Sequence, residues 1–289
     1  MRRPLFTQIV VIAILLIAVF TPATTATLTL RVNHRNPLKF SESEIYAETA
    51  ARGKPPKPPK PPTPSKWAVI IGIADYQGSD SDLWHPDEDA KEMYMELTQQ
   101  QGYPRKNVML LTNGKATASA IVVAIDWLVS NEKAGDEVVF FYSGHGYRAP
   151  DSERWDTDVE SDGYDEMIVT YDFYGLPDGW FRQKFTAADS TKFALMFGSC
   201  HSGGMFDDND DLQGTGRVIA SACKADQYGW DYFFLGNTLW GYYFVDEGLL
   251  DNNANSVEEA HAYAYPRVVV EQPDSQPQLY DNYPGDFTL

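Results

Sequence analysis

The chain has 289 residues, 43% of them apolar and 13% aromatic, enough to bury a sizeable core in one large domain or two small ones. Its formal net charge of −18 repels nucleic-acid phosphates and anionic lipid, so neither is expected as a partner. The same charge keeps the chain soluble and attracts basic peptides and divalent cations.

The N-terminus reads as an export signal over residues 1–26. Arg2 and Arg3 precede an apolar run from Ile9 to Phe20, and small residues follow that suit cleavage after Ala23 or Ala26. The run is shorter than the ~20 apolar residues of a full span, and an uncleaved membrane anchor is the alternative. The expected location is extracellular or at the cell surface. Residues 27–51 are a polar pro-segment or spacer. Residues 52–65 are a Lys/Pro-rich linker in which proline favours a semi-rigid, extended polyproline II form.

The folded domain is expected over residues 66–289. Trp67 to Ala74 is an uninterrupted apolar run, as in a strand buried on both faces. Pro86 and Asp87 open a helix reaching about Gln101. Strands follow at Asn107–Leu111, Glu137–Tyr142, Lys192–Phe197 and Arg217–Ala222. Between the second and third strands lies a helix from Thr117 to about Glu132, with Ile121, Ile125 and Leu128 on one face. Further helices are expected over Thr238–Glu247 and Ser256–Tyr265. Strands alternating with helices imply an α/β fold, a mostly parallel sheet with helices on both faces. In such sheets ligands bind beyond the carboxyl ends of the strands.

Two chemically loaded segments occupy those ends. His145 follows the third strand between Gly144 and Gly146, where a histidine is placed to act as acid or base. Cys200 follows the fourth strand, and a nearby histidine is what raises the thiolate content of such a cysteine. The backbone N–H groups of Gly146 and Cys200 are candidates for an oxyanion hole. The spacing between His145 and Cys200 is close to the ~50 residues typical of caspases. His201 adjoins the cysteine but alternation points it elsewhere, so it reads as structural. The remaining histidines, His34, His85 and His261, show no metal-ligand spacing with His145, which argues against a metal hydrolase.

FFYSGHG (140–146) followed by FGSCHSGG (197–204) resembles the caspase-like peptidases of clan CD, family C14, and most of all metacaspases and their prokaryotic relatives. KWAVIIGIADY (66–76), DGYDEMIVTYD (162–172), SACKADQYGWD (221–231) and QLYDNYPGDF (278–287) extend the likeness over about 66–289. The resemblance implies a caspase-hemoglobinase-like three-layer sandwich and a cysteine endopeptidase with a Cys200–His145 dyad, acting on polypeptides with no obligatory cofactor. It leaves the oligomeric state open, with a monomer slightly favoured.

It also implies cleavage after Arg or Lys, with Asp89 in HPDEDA (85–90) and Ser143 lining the primary pocket. A third acid, two residues before the cysteine in the family, is replaced here by Gly198, and Asp226 is the candidate substitute carboxylate. Calcium, which some metacaspases need, is the one cofactor in question. Asp158, Glu160, Asp162 and Gly163 mimic the opening of a calcium loop, but its closing position falls on Val169 and the EF-hand reading fails. The family's Asp-Asp pair is absent from FRQKFTAAD (181–189), and Asp207, in the acidic run with Asp208, Asp210 and Asp211, matches a calcium position. Two alternatives stand beside the peptidase reading. One is an inactive caspase-like interaction module; the other is an exported domain closed by a Cys200–Cys223 disulfide.

Overall fold

Six strands form the central sheet of the computed structural model, which describes residues 38–39, 64–157, 160–208 and 211–289. The expected signal, spacer and most of the linker, together with Asp158 and Asp210, therefore lie outside the described residues. In chain order the strands are β1 (Leu38–Lys39), β2 (Lys66–Gly72), β3 (Val108–Thr112), β4 (Glu137–Ser143), β5 (Gly146–Pro150), β6 (Tyr164–Val169), β7 (Tyr174–Pro177), β8 (Lys192–Gly198), β9 (Arg217–Ser221) and β10 (Gln278–Asp281). The central sheet has the order β10-β9-β8-β4-β2-β3 and is parallel except at β10.

The inner strands are apolar throughout because both of their faces are covered. One face, carrying Val69, Ile71, Val138, Phe140, Leu195 and Phe197, packs under α2 (Ala118–Asn131) and α3 (Asp178–Thr186). The opposite face, carrying Ala68, Ile70, Val139, Phe141, Ala194 and Met196, packs under three helices. These are α1 (Pro86–Met95), α4 (Leu239–Gly241) and α5 (Val257–Glu271). Alternate residues of one strand thus enter two separate cores. Helices on both faces of a mostly parallel sheet match the α/β three-layer expectation.

The helix expected to reach Gln101 changes winding, with α1 followed by a π-helical stretch at Glu96–Gln100. α4 likewise runs into a π-helix at Tyr242–Asp251. Sequence reading passed over α3, β10 and a second sheet of order β1-β7-β6-β5. Its strands β5 to β7 are short antiparallel ribbons of mixed polarity, which lack the long apolar run that marks a central parallel strand.

Gly72, the last residue of β2, fixes how closely α1 approaches the sheet. A Cβ there would overlap the Pro86 carbonyl and the Ala90 side chain. Gly72→Ala is therefore expected to destabilise the fold by about 1–3 kcal/mol, the usual cost of overpacking. Urea unfolding monitored by tryptophan fluorescence measures this, and an unchanged midpoint would show that α1 yields freely.

Candidate active site

β4 and β8 are neighbours in parallel register, with Ser143 opposite Gly198. His145 and Cys200 each lie two residues further on, so they leave the sheet at one level from adjacent strands. Both open on a single cavity, whose other walls include Leu83, Pro86, Gly198, Asp231, Thr238 and Trp240.

The His145 backbone is held from two sides by phenols. Its N–H donates to the Tyr76 hydroxyl at 2.7 Å, and its carbonyl accepts from the Tyr142 hydroxyl at 2.7 Å. The Tyr76 ring also packs on the imidazole, with centroids 4.7 Å apart. Burial raises the pKa of both phenols well above the ordinary value, so they remain protonated.

The imidazole Nε2 lies 2.8 Å from the Ser81 carbonyl. A carbonyl only accepts, so Nε2 carries hydrogen, and in the neutral ring Nδ1 is the basic nitrogen. Burial lowers the His145 pKa to about 4, against the opposing pull of the Ser81 carbonyl and Asp82. Cys200 keeps part of its surface open, but burial of its sulfur pushes the thiol up to about 11. Backbone hydrogen bonds involving Gly229, Cys200 itself and Gly146 pull the other way. The resting pair is accordingly thiol and neutral imidazole. Gly146 is packed so tightly on the Cys200 carbonyl that a Cβ would overlap it, and the backbones of both candidate oxyanion residues lie close enough to act on the thiol.

Beside this pair lies a buried carboxylate. Asp89, in the first turn of α1, accepts from Ser143 Oγ at 2.7 Å, Thr238 Oγ1 at 2.7 Å and Thr238 N at 3.1 Å. Burial nevertheless raises its pKa to about 8, with the nearby Asp231 adding to the rise. Asp89 and Ser143 are thus bonded to each other, both fully buried behind the cavity wall formed by Gly198 and Thr238. Asp226 lies elsewhere: it is exposed and lines a separate groove with Asp162 and Asp207. The carboxylate on the cavity wall is Asp231, five residues further along, an acid that sequence reading did not single out. Position 198 is tightly enclosed, so a side chain there would need its neighbours to shift. A Cβ on Gly198 would lie 3.2 Å from both Ser143 Oγ and the Trp240 ring, and Trp240 stacks on Phe244 beneath.

His201 is held by the Ala225 carbonyl, 2.7 Å from its Nδ1, in keeping with a structural role. Both cysteines are free thiols, and Cys223 is fully buried with its sulfur 3.4 Å from the Ser199 and Gln227 carbonyls. The disulfide arrangement is therefore not present here. Asp207 is exposed at a groove rim, whereas Glu160, Asp178 and Asp211 bring carboxylate oxygens within 4.8 Å of one another in the interior. Asp178 is wholly buried and its Oδ2 has no hydrogen-bond partner among the described residues. Glu166, close by, is buried, and neither of its carboxylate oxygens has a hydrogen-bond partner among the described residues. Burial, then Asp207, Asp162 and Glu160, push its pKa up to about 10. An all-oxygen acidic set with an orphaned buried oxygen fits a hard divalent cation.

Residues 66–209 match the family model described as metacaspase, peptidase C14 domain. The chain is 34% identical to metacaspase-1A of Aspergillus oryzae over 151 residues, covering 48% of this chain and 35% of that protein. It is 33% identical to metacaspase-4 of Arabidopsis thaliana over 150 residues, covering 50% and 35%. The chain thus spans about a third of the length of these curated relatives. Among solved structures, protein GSU0716 of Geobacter sulfurreducens superposes with a TM-score of 0.60 at 19% identity. That match covers 78% of this chain and 99% of that one, a likeness of fold alone.

The resting protonation state has a direct readout. Alkylation of Cys200 by iodoacetamide, followed by peptide mapping, is expected to keep accelerating from pH 7 toward about 11. A plateau below pH 7 would mean that the pair rests as thiolate and imidazolium instead.

Proposed function

We propose, since this chain belongs through residues 66–209 to the caspase-like C14 peptidase family, that it is a cysteine endopeptidase cleaving polypeptides after a basic residue. The observation that carries the reading is the register of β4 and β8, which gives His145 and Cys200 a common level and a common cavity. His145 Nδ1 takes the thiol proton as Cys200 attacks the scissile carbonyl. The amides of Gly146 and Cys200 stabilise the oxyanion, and His145 returns the proton to the leaving amine. Water then hydrolyses the acyl-enzyme.

The basic preference is supported by Asp89 and Asp231. The first is buried beside the cavity under Ser143, and the second forms part of its wall. Asp231 takes over the charge that Gly198 lacks, and Trp240 fills the space that an acid there would need. The free space in the cavity is about 30 Å³, room for one or two waters, so an entering side chain pushes its walls apart.

A divalent cation, calcium being the one the family resemblance implies, would be held by Glu160, Asp178 and Asp211. When bound it supplies charge neutralisation among these carboxylates. Export through residues 1–26 completes the proposal; among the described residues no helix is long and apolar enough to cross a membrane.

Four measurements test these points. Cys200→Ala is expected to abolish hydrolysis of a peptide panel on which Arg and Lys substrates surpass Ala and Asp ones. Equal rates across the panel would sink the basic pocket. Asp231→Asn is expected to lower kcat/KM on Arg peptides by about 10–100-fold, mostly through KM. In the wild type, kcat/KM on Arg peptides should rise with pH and flatten above about 8, because a guanidinium requires ionised Asp89 and the proton leaves only there. Calcium is expected to raise the thermal midpoint of the wild type and to leave that of Asp178→Asn unmoved. An unresponsive wild type would remove the cation from the proposal.

A further inference from the structure

The segment after β9 forms one wall of the cavity and then projects beyond it. Asp231 bridges Thr238 in an antiparallel pair, and the Leu239 N–H donates to the Trp230 carbonyl at 2.8 Å. Both ends of the loop 232–236 are thereby fixed to cavity-lining residues. The Leu235 N–H donates to the Tyr232 carbonyl at 3.0 Å and closes the tip. The tip, Tyr-Phe-Phe-Leu-Gly, carries no charge in a chain whose net charge is −18.

At this tip Phe233 is 71% exposed and Phe234 is 72% exposed. Neither is loose. The Phe233 carbonyl accepts from His85 Nε2 at 3.0 Å, and its ring meets Trp84 edge-on at 6.0 Å. The Trp84 N–H in turn donates to the Asp231 carboxylate. Phe234 stacks on Tyr232, with centroids 5.4 Å apart and planes 13° from parallel. Two aromatic rings are thus held toward solvent by contacts that lead back to the cavity wall. Such a rigid apolar surface, continuous with a binding cleft, is built for contact.

We propose that Phe233 and Phe234, with Trp84, form a subsite for one apolar side chain of the peptide, on the acyl side of the scissile bond. This rests on the peptidase reading and narrows its substrate class to a basic residue preceded by an aliphatic or aromatic one. The side follows from strand order, β9-β8-β4. The leaving amine must lie over His145, at the end of β4. The acyl half, joined to Cys200 at the end of β8, extends toward β9, from which the platform springs. Two phenylalanines fall far short of the roughly 1,200 Å² that a stable protein–protein interface buries, so a single side chain suits the platform better than a second copy of the chain.

The test uses two peptide series with Arg at the cleaved position. One varies the preceding residue among Leu, Phe, Ser and Asp, and the other varies the residue after the bond. For the wild type, Leu or Phe should exceed Ser by about 10-fold or more in kcat/KM in the first series only. In Phe233→Ser and Phe234→Ser that ratio should fall below about 3-fold. A wild-type ratio near one, a ratio retained in both variants, or a preference confined to the second series overturns the subsite. Failure of the peptidase reading looks different, as no hydrolysis in either series, and removes both. Sedimentation showing a wild-type dimer that Phe233→Ser dissociates would give the platform to a second copy and overturn the proposal as well.

Discussion

The parallel pairing of β4 with β8 is the constraint on which the rest of this molecule depends. Seven residues of each strand match in register, from Glu137 opposite Lys192 to Ser143 opposite Gly198. A slip of one residue would exchange the two cores and separate His145 from Cys200. That slip is opposed by packing on both sides. Phe140 and Phe197 lie 5.5 Å apart in the core under α2 and α3, while Phe141 stacks with Trp240 in the opposite one. The hydrophobic burial that fixes the register therefore also fixes the relative position of His145 and Cys200.

The second organising element is a carboxylate kept where charge is expensive. Asp89 has no exposed surface, and three donors from Ser143 and Thr238 only partly offset its desolvation. Thr238 is also the N-cap of α4, accepting from the Gly241 amide at 3.0 Å, so the carboxylate faces a helix N-terminus. Gly241 has to be glycine, because any Cβ would overlap Asp89. A group held at such cost is poised to become favourable once a cation enters beside it.

The interior acidic cluster follows the same logic on the other side of the site. Glu166 begins its strand neighbours' contact with the loop after Cys200, since Gly204 leaves no room for a Cβ beside its carboxyl. β5 starts at Gly146, directly after His145, and pairs with β6, which carries Glu166. The cluster is thus joined to the His145 segment through the β5–β6 pairing and to the Cys200 segment through the turn that carries Gly204. The aromatic tip beyond Asp231 is linked to the cavity in a comparable way, through the Asp231–Thr238 bridge.

The sequence by itself determined the five parallel strands of the central sheet and that His145 and Cys200 directly follow two of them. Strands buried on both faces have to be continuously apolar, so β2, β4, β8 and β9 are legible as runs, and whatever follows such a run lies at the functional edge. It also determined that Asp89 and Ser143 accompany the pair, through motifs that are local. Only the tertiary structure decided which distant groups join them. Ser81 reaches His145 across 64 positions of chain, and Thr238 reaches Asp89 across 149. Asp226 and Asp231 are the same residue type and only five positions apart, but the turn and bridge after β9 send one to an outer groove and the other to the cavity. The second sheet stayed hidden for the related reason that its short strands gain their stability from partners rather than from a pattern of their own. Local periodicity records which face of an element is buried; it does not record what that face meets.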